Sequence, residues 1–173
     1  MTPLYGNIQK DVEMAWVDKA SYQFESCTEL DASAAEVFSI LEDGDAWCQW
    51  FEGMTAVNWL TPEPKGVGTQ RTVSLGSTQI EEHFLVWEQG TRMAFRFTSS
   101  NSSVFSAIIE DYRLEDMPPT QPGGKGRCRF VYRVHADLSI WASLVGCILK
   151  GKLNSMFGNA CPNLARYVSD RVK

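Results

Sequence analysis

The sequence predicts an α+β fold, an antiparallel sheet followed by a long C-terminal helix, on three observations. Between Gly66 and Phe97, runs of alternating polarity are broken by the dipeptides Gly76-Ser77 and Gln89-Gly90, as hairpin turns interrupt strands. Two further runs, Val104 to Glu115 and Arg127 to Leu138, keep the period of two that half-buried strands require. From Ser139 to Arg171 the apolar residues instead recur at helical spacing.

Each element has its own local signal. Residues 1 to 18 form a polar leader anchored by Met14, Trp16 and Val17 and expected to be partly ordered; residues 19 to 173 form a single domain. Lys19 to Leu30 alternates, with Tyr22, Phe24 and Leu30 on one side. Ser33 and Glu36 have capping-box spacing and open a helix from Ala34 to about Glu42, buried through Ala34, Val37, Phe38 and Leu41 and ended by Gly44. A second short helix carries Trp47 and Trp50 on one face, and Met54 to Leu60 makes a strand with Val57 and Trp59 together. Thr98 to Ser103 is a serine-rich connection, and the prolines and glycines of Met117 to Gly126 mark a flexible hairpin loop. In the final helix, Pro162 is expected to kink the chain or to start a new helix at Asn159 or Cys161.

Hairpin counting places the meander's side chains. With Gly76-Ser77 as a two-residue loop, Leu75 faces Thr78, Val73 faces Ile80 and Arg71 faces Glu82. Counting across Gln89-Gly90 sets Val86 by Met93, Phe84 by Phe95 and Glu82 by Phe97. One apolar face therefore carries an arginine and a glutamate. Such a pair either orients a polar group in an apolar cavity or fixes register as a buried ion pair. Parity also groups Phe130 with Tyr132 on one face of the last strand, and Glu110 with Tyr112 on one face of the strand before it.

The spacing Gly66, Gly68, Arg71, then Glu82, then Trp87-Glu88 resembles the polyketide cyclase/dehydrase and START-like (SRPBCC) superfamily. The resemblance, over residues 20 to 172, implies a helix-grip fold: about seven antiparallel strands curved round the C-terminal helix, enclosing a hydrophobic ligand cavity. It also implies that the two short helices line the cavity mouth and that Tyr112 points inward, so that Glu110 either joins the polar floor of the cavity or is turned out by a bulge. The candidate ligand-binding set is Trp47, Trp50, Arg71, Val73, Glu82, Phe84, Phe95, Phe97, Tyr112, Phe130, Tyr132, Leu144 and Ile148.

Composition bounds the partners. A net charge of -5 argues against nucleic acid, and Arg127, Arg129 and Arg133 suit a solvated strand face. The N-terminus lacks a signal-peptide pattern and no apolar run reaches spanning length, so a cytoplasmic protein without integral membrane association is expected. Five scattered cysteines without a C-x-x-C pair suit reduced thiols. Both His83 and His135 fall outward, so neither a histidine triad nor a histidine-bound metal is expected, and no cofactor is called for.

Three function classes remain. A binder of a hydrophobic small molecule, such as a lipid or polyketide, needs only the cavity. A cyclase or dehydratase would use Arg71 and Glu82 with Tyr112 and Tyr132 to polarise a carbonyl and move a proton. A protein-interaction module, similar to the superfamily's co-chaperones, would use outward Trp87, Arg92, Arg96, Arg127 and Arg133. The sequence leaves ligand, turnover and oligomeric state open.

Overall fold

The structure, a computed structural model, describes residues 6–144 and 146–171. Val145 of the expected helical stripe lies outside the described residues, as do the side chains of Ile8, Cys147 and Ile148. Strands β1 (Asn7–Ile8), β2 (Tyr22–Leu30), β3 (Met54–Trp59), β4 (Gln70–Leu75), β5 (Thr78–Glu88), β6 (Arg92–Ser100), β7 (Phe105–Met117) and β8 (Arg127–Leu138) form one antiparallel sheet. Seven of them run in the order β2-β8-β7-β6-β5-β4-β3, while β1 pairs with the end of β6. Within those seven, every neighbour is sequential except β2, which returns to pair with β8.

Between β2 and β3 run α1 (Ala34–Glu42) and α2 (Gly44–Trp50). The α1 cap forms as expected: Ser33 Oγ accepts from the Glu36 amide, and the Glu36 carboxylate accepts from the Ser33 amide at 2.7 Å. Gly44 does not simply end this helix. Asp43 closes α1 and caps α2, its carboxylate accepting from the amides of Asp45 and Ala46, so Gly44 is the first residue of α2.

The C-terminal helix is three pieces, α3 (Ile140–Leu144), α4 (Gly146–Gly158) and α5 (Ala160–Arg171), with α4 and α5 separated at Asn159. Pro162 sits in the first turn of α5, where the amides have no intrahelical partner, so the missing N–H costs the helix nothing. The inner face of the sheet buries Phe84, Phe95, Phe130, Tyr132 and Val134 against Leu153, Phe157, Leu164 and Val168 of these helices.

The leader packs on the other face. Gln9 and Lys10 bond the backbone of Thr98 and Ser106, and Val12 packs with Ala107 and Ile109, joined by Met14, Trp16 and Val17.

The first hairpin keeps the counted register, with Leu75 opposite Thr78, Val73 opposite Ile80 and Arg71 opposite Glu82. Gly76 takes a φ of 57° in that turn, open to glycine at little cost. The second hairpin differs. Its loop has three residues, Gln89 to Thr91, with Glu88 opposite Arg92, and a bulge at Leu85 inserts one residue into β5. Val86 therefore faces Ala94, and Trp87 takes the place by Met93 that counting assigned to Val86. A second irregularity, at Thr98, puts Glu82 opposite Phe97 but Glu81 opposite Ser99. The strand thus continues to Ser100 instead of becoming a connection at Thr98.

Candidate functional site

Arg71 and Glu82 meet on the inner face of β4 and β5, with Arg71 Nε donating to Glu82 Oε2 at 2.5 Å. Arg71 is wholly buried and Glu82 nearly so. The guanidinium carbon lies 4.5 Å from the ring centre of Trp47, 4.7 Å from that of Phe95, and 5.2 Å from those of Trp59 and Phe84. These rings hold the cation by its attraction to their faces. They cannot accept its N–H bonds in the manner of an oxygen. Both terminal nitrogens of Arg71 are accordingly buried without a hydrogen-bond partner among the described residues. Burial, the larger influence, pushes the Glu82 carboxyl above its ordinary range against the pull of Arg71.

The parity of β7 settles Glu110. It faces inward opposite Phe95 and is buried, with no bulge at its position to turn it out. The Tyr112 and Tyr132 hydroxyls both donate to its Oε2, that of Tyr132 at 3.1 Å. The two tyrosine rings stack with centres 4.8 Å apart. Burial, reinforced by the nearby Glu82 charge, pushes Glu110 up to about 7, although the tyrosine bonds and Arg71 oppose the shift. Burial and Glu110 also raise both phenols well above the usual tyrosine value, so they remain donors.

A cavity of about 180 Å³ lies between the sheet and α4. Of the expected ligand set, Trp47, Arg71, Val73, Glu82, Phe95 and Phe97 line it, and Glu110 joins them. Phe84, Tyr112, Phe130 and Tyr132 do not reach its wall; they are buried behind it, the tyrosines acting on the cavity through Glu110. Trp50 is buried against Trp47 and Phe51 rather than on the wall. Leu144 is 73% exposed and outside the cavity, because α3 ends before the chain turns in over it. Ile148 was expected here too, and its side chain lies outside the described residues. Tyr22 donates to Asn154 Oδ1 at 2.7 Å, tying β2 to α4.

Counting missed several wall residues. Leu149, Leu153, Met156 and Phe157 come from α4, whose inward face depends on how the helix packs. Ser100 joins Ile80 on the wall because of the shift at Thr98, which no sequence signal marks. Gln9 arrives from the leader, its buried Oε1 without a hydrogen-bond partner among the described residues.

The outward contact face also changes. Trp87 is turned inward by the Leu85 bulge, its ring 4.9 Å from Phe84 and 5.8 Å from Phe38. The arginines are engaged by the chain's own groups: Arg92 with Asp111, Arg96 with Asp11, Glu13 and the Val12 carbonyl, Arg127 with Glu29, and Arg133 with Glu25.

This open sheet, gripping a bent helix over a lined cavity, is the helix-grip architecture. The chain belongs to the polyketide cyclase / dehydrase and lipid transport family, whose model matches residues 22–169. Uncharacterized proteins of Mycobacterium tuberculosis and Mycobacterium bovis are each 32% identical over 161 residues, covering 92% of this chain and 92% of theirs. Among solved structures it is similar in fold to the Zhui aromatase/cyclase from Streptomyces sp. R1128, with a TM-score of 0.67 at 12% identity over 88% of this chain and 96% of that one. It is similar also to a START superfamily protein from Mycobacterium smegmatis, with a TM-score of 0.56 at 14% identity over 80% and 96% of the two chains. No described helix is long and apolar enough to cross a membrane.

Proposed function

We propose that this chain binds a hydrophobic small molecule carrying one anionic or carbonyl oxygen, with the oxygen held by Arg71. The observation that carries this reading is the pair of buried, unpartnered Arg71 nitrogens on an otherwise apolar wall. A buried donor without an acceptor is costly, and a ligand oxygen would remove that cost. The volume points to a small ligand: about 180 Å³ compares with the roughly 150 Å³ that admits benzene. Four described cysteines are free thiols, which suits a reducing cytoplasm.

The test is calorimetry with 2-naphthoate and neutral naphthalene, alongside native mass spectrometry of the purified protein. Saturable naphthoate binding, weakened roughly tenfold by Arg71→Met while naphthalene binding persists, supports the reading. Equal naphthoate affinity in both proteins would sink it.

Glu110 favours a second reading, a cyclase or dehydratase. A carboxyl near 7 beside a cation can hand over and recover a proton at neutral pH. In that case Glu110→Gln removes turnover and leaves naphthoate binding in place. The interaction-module reading is weakened, because the outer arginines already have partners within the chain.

A further inference from the structure

Helix α3 carries a patch that the cavity does not explain. Ile140, Trp141 and Leu144 are 82%, 77% and 73% exposed, although each is a residue that folding ordinarily covers. Their spacing puts Leu144 four residues after Ile140 and three after Trp141, so the three project from one side of the helix. The patch lies at the cavity rim. Ser139, just before α3, bonds the Val104 carbonyl at 2.9 Å, and Val104 lines the cavity; beyond α3, Leu149 lines it again.

Charge identifies what the patch meets. The chain carries 21 acidic residues, yet none occurs from Leu138 to Ser169. Within that stretch Lys150 and Lys152 are exposed on α4, and neither has an ion pair among the described residues. Arg92, Arg127 and Arg133 of the outer sheet face, by contrast, are met by carboxylates. A net-negative chain thus presents exposed apolar side chains, a tryptophan among them, followed on the next helix by exposed lysines. That combination matches the boundary of an anionic bilayer, where apolar side chains sink below the headgroups and lysines stay among them.

We propose that α3 docks this chain on anionic lipid bilayers, setting the cavity rim against the membrane so that apolar ligand passes directly between bilayer and cavity. Transfer of ligand rests on the cavity reading above; docking does not. A second copy of the chain is a poorer occupant. Three side chains offer a few hundred Å², short of the roughly 800 Å² per partner that specific protein interfaces bury, whereas a bilayer sets no such minimum.

The test is flotation of the full chain with vesicles of phosphatidylcholine alone and of equal parts phosphatidylcholine and phosphatidylglycerol, without added ligand. We expect wild type to float with the mixed vesicles and to be released by high salt. Trp141→Ser with Leu144→Ser, both on exposed positions, should cut bound protein roughly tenfold without changing the thermal melt. Lys150→Glu with Lys152→Glu should act in the same direction through charge. The proposal is overturned if wild type ignores mixed vesicles, if it binds both compositions alike, or if the serine variant floats as wild type does. It is also overturned if wild type is a dimer that the serine variant dissociates. None of these outcomes touches naphthoate binding, so the two proposals fail separately.

Discussion

Two arginine-carboxylate pairs sit on opposite faces of one sheet and differ in how completely they are satisfied. On the outer face Asp111 accepts from Arg92 at 2.9 and 3.0 Å and from Arg113 at 2.9 and 3.1 Å. Burial would push Asp111 up, yet those bonds hold it below its ordinary value. On the inner face Glu82 has one bond from Arg71, burial prevails, and the guanidinium keeps two nitrogens without partners. The outer cluster is complete as it stands and fixes strand register. The inner pair is held by aromatic rings and leaves two buried donors unsatisfied among the described residues.

The largest expected effect separates the two. Arg71→Ala leaves Glu82 buried without its cation and should cost about 3 to 5 kcal/mol. Arg92→Ala leaves Asp111 with Arg113 and should cost only about 1 to 2 kcal/mol, since Arg92 is partly exposed. Urea unfolding of both variants measures the difference, and similar losses would mean that the inner pair is no more isolated than the outer one. The double variant Arg71→Met with Glu82→Leu should recover most of the inner loss, because it removes both charges and keeps the volume.

That contrast was half legible in the sequence. Strand parity and a two-residue turn were enough to oppose Arg71 and Glu82, since a one-residue slip would have reversed every side chain on β4. Parity also put Tyr132 with Phe130, whereas the inward turn of Tyr112, and with it Glu110, was legible only through the family resemblance. Parity failed where the backbone departs from period two. The inserted Leu85 exchanges Val86 for Trp87, and the shift at Thr98 brings Ser100 to the wall; neither departure has a residue signature. Helix period likewise named Leu144 as a wall residue, but it could not say that α3 would stop before the cavity. The donors around Asp111 were not legible, because strand pairing, and not local sequence, brings the Arg92 guanidinium to the carboxylate that Arg113 already meets.

Protonation sharpens the comparison next. Glu110 has a folded-state value of about 7, against an ordinary 4.5, so the folded chain holds its proton more tightly than the unfolded chain does. Its stabilising contribution is therefore fully present below about 4.5 and is lost as pH rises through about 7. Glu110→Gln keeps the shape and cannot titrate. Wild type should lose on the order of 3 kcal/mol relative to Glu110→Gln between pH 4.5 and 8, read from urea midpoints across that range. Asp111 on the outer face has the opposite sign, its contribution being lost as pH falls through its lowered value. Parallel pH profiles for the Glu110→Gln and wild-type proteins would show that Glu110 is ionised as in water.

The tyrosines give a smaller effect. Tyr132→Phe removes one of two hydroxyl donors from a buried carboxyl that keeps the other, at a cost of about 1 to 2 kcal/mol at neutral pH. Losing a bond that favours the ionised form should also move the pH midpoint of Glu110 upward, which the same urea series reads. A variant whose midpoint stays in place would mean that the hydroxyl does not act on Glu110, and the tyrosines would then be packing alone.

The smallest expected effect lies at the exposed end of the same comparison. Arg133 pairs with Glu25 at 2.6 Å between β8 and β2, but the two side chains are 31% and 53% exposed. Water already solvates both charges, so the attraction is screened and the long side chains lose freedom to keep it. Arg133→Ala should change the unfolding free energy by no more than about 0.5 kcal/mol, and added salt should erase even that. The same distance between the same groups would then be worth several kcal/mol at Arg71 and almost nothing at Arg133, with solvent access as the variable that differs. A loss at Arg133 approaching that at Arg71 would assign the inner cost to the pairing itself and take away the reason for regarding the two free nitrogens of Arg71 as a place for ligand.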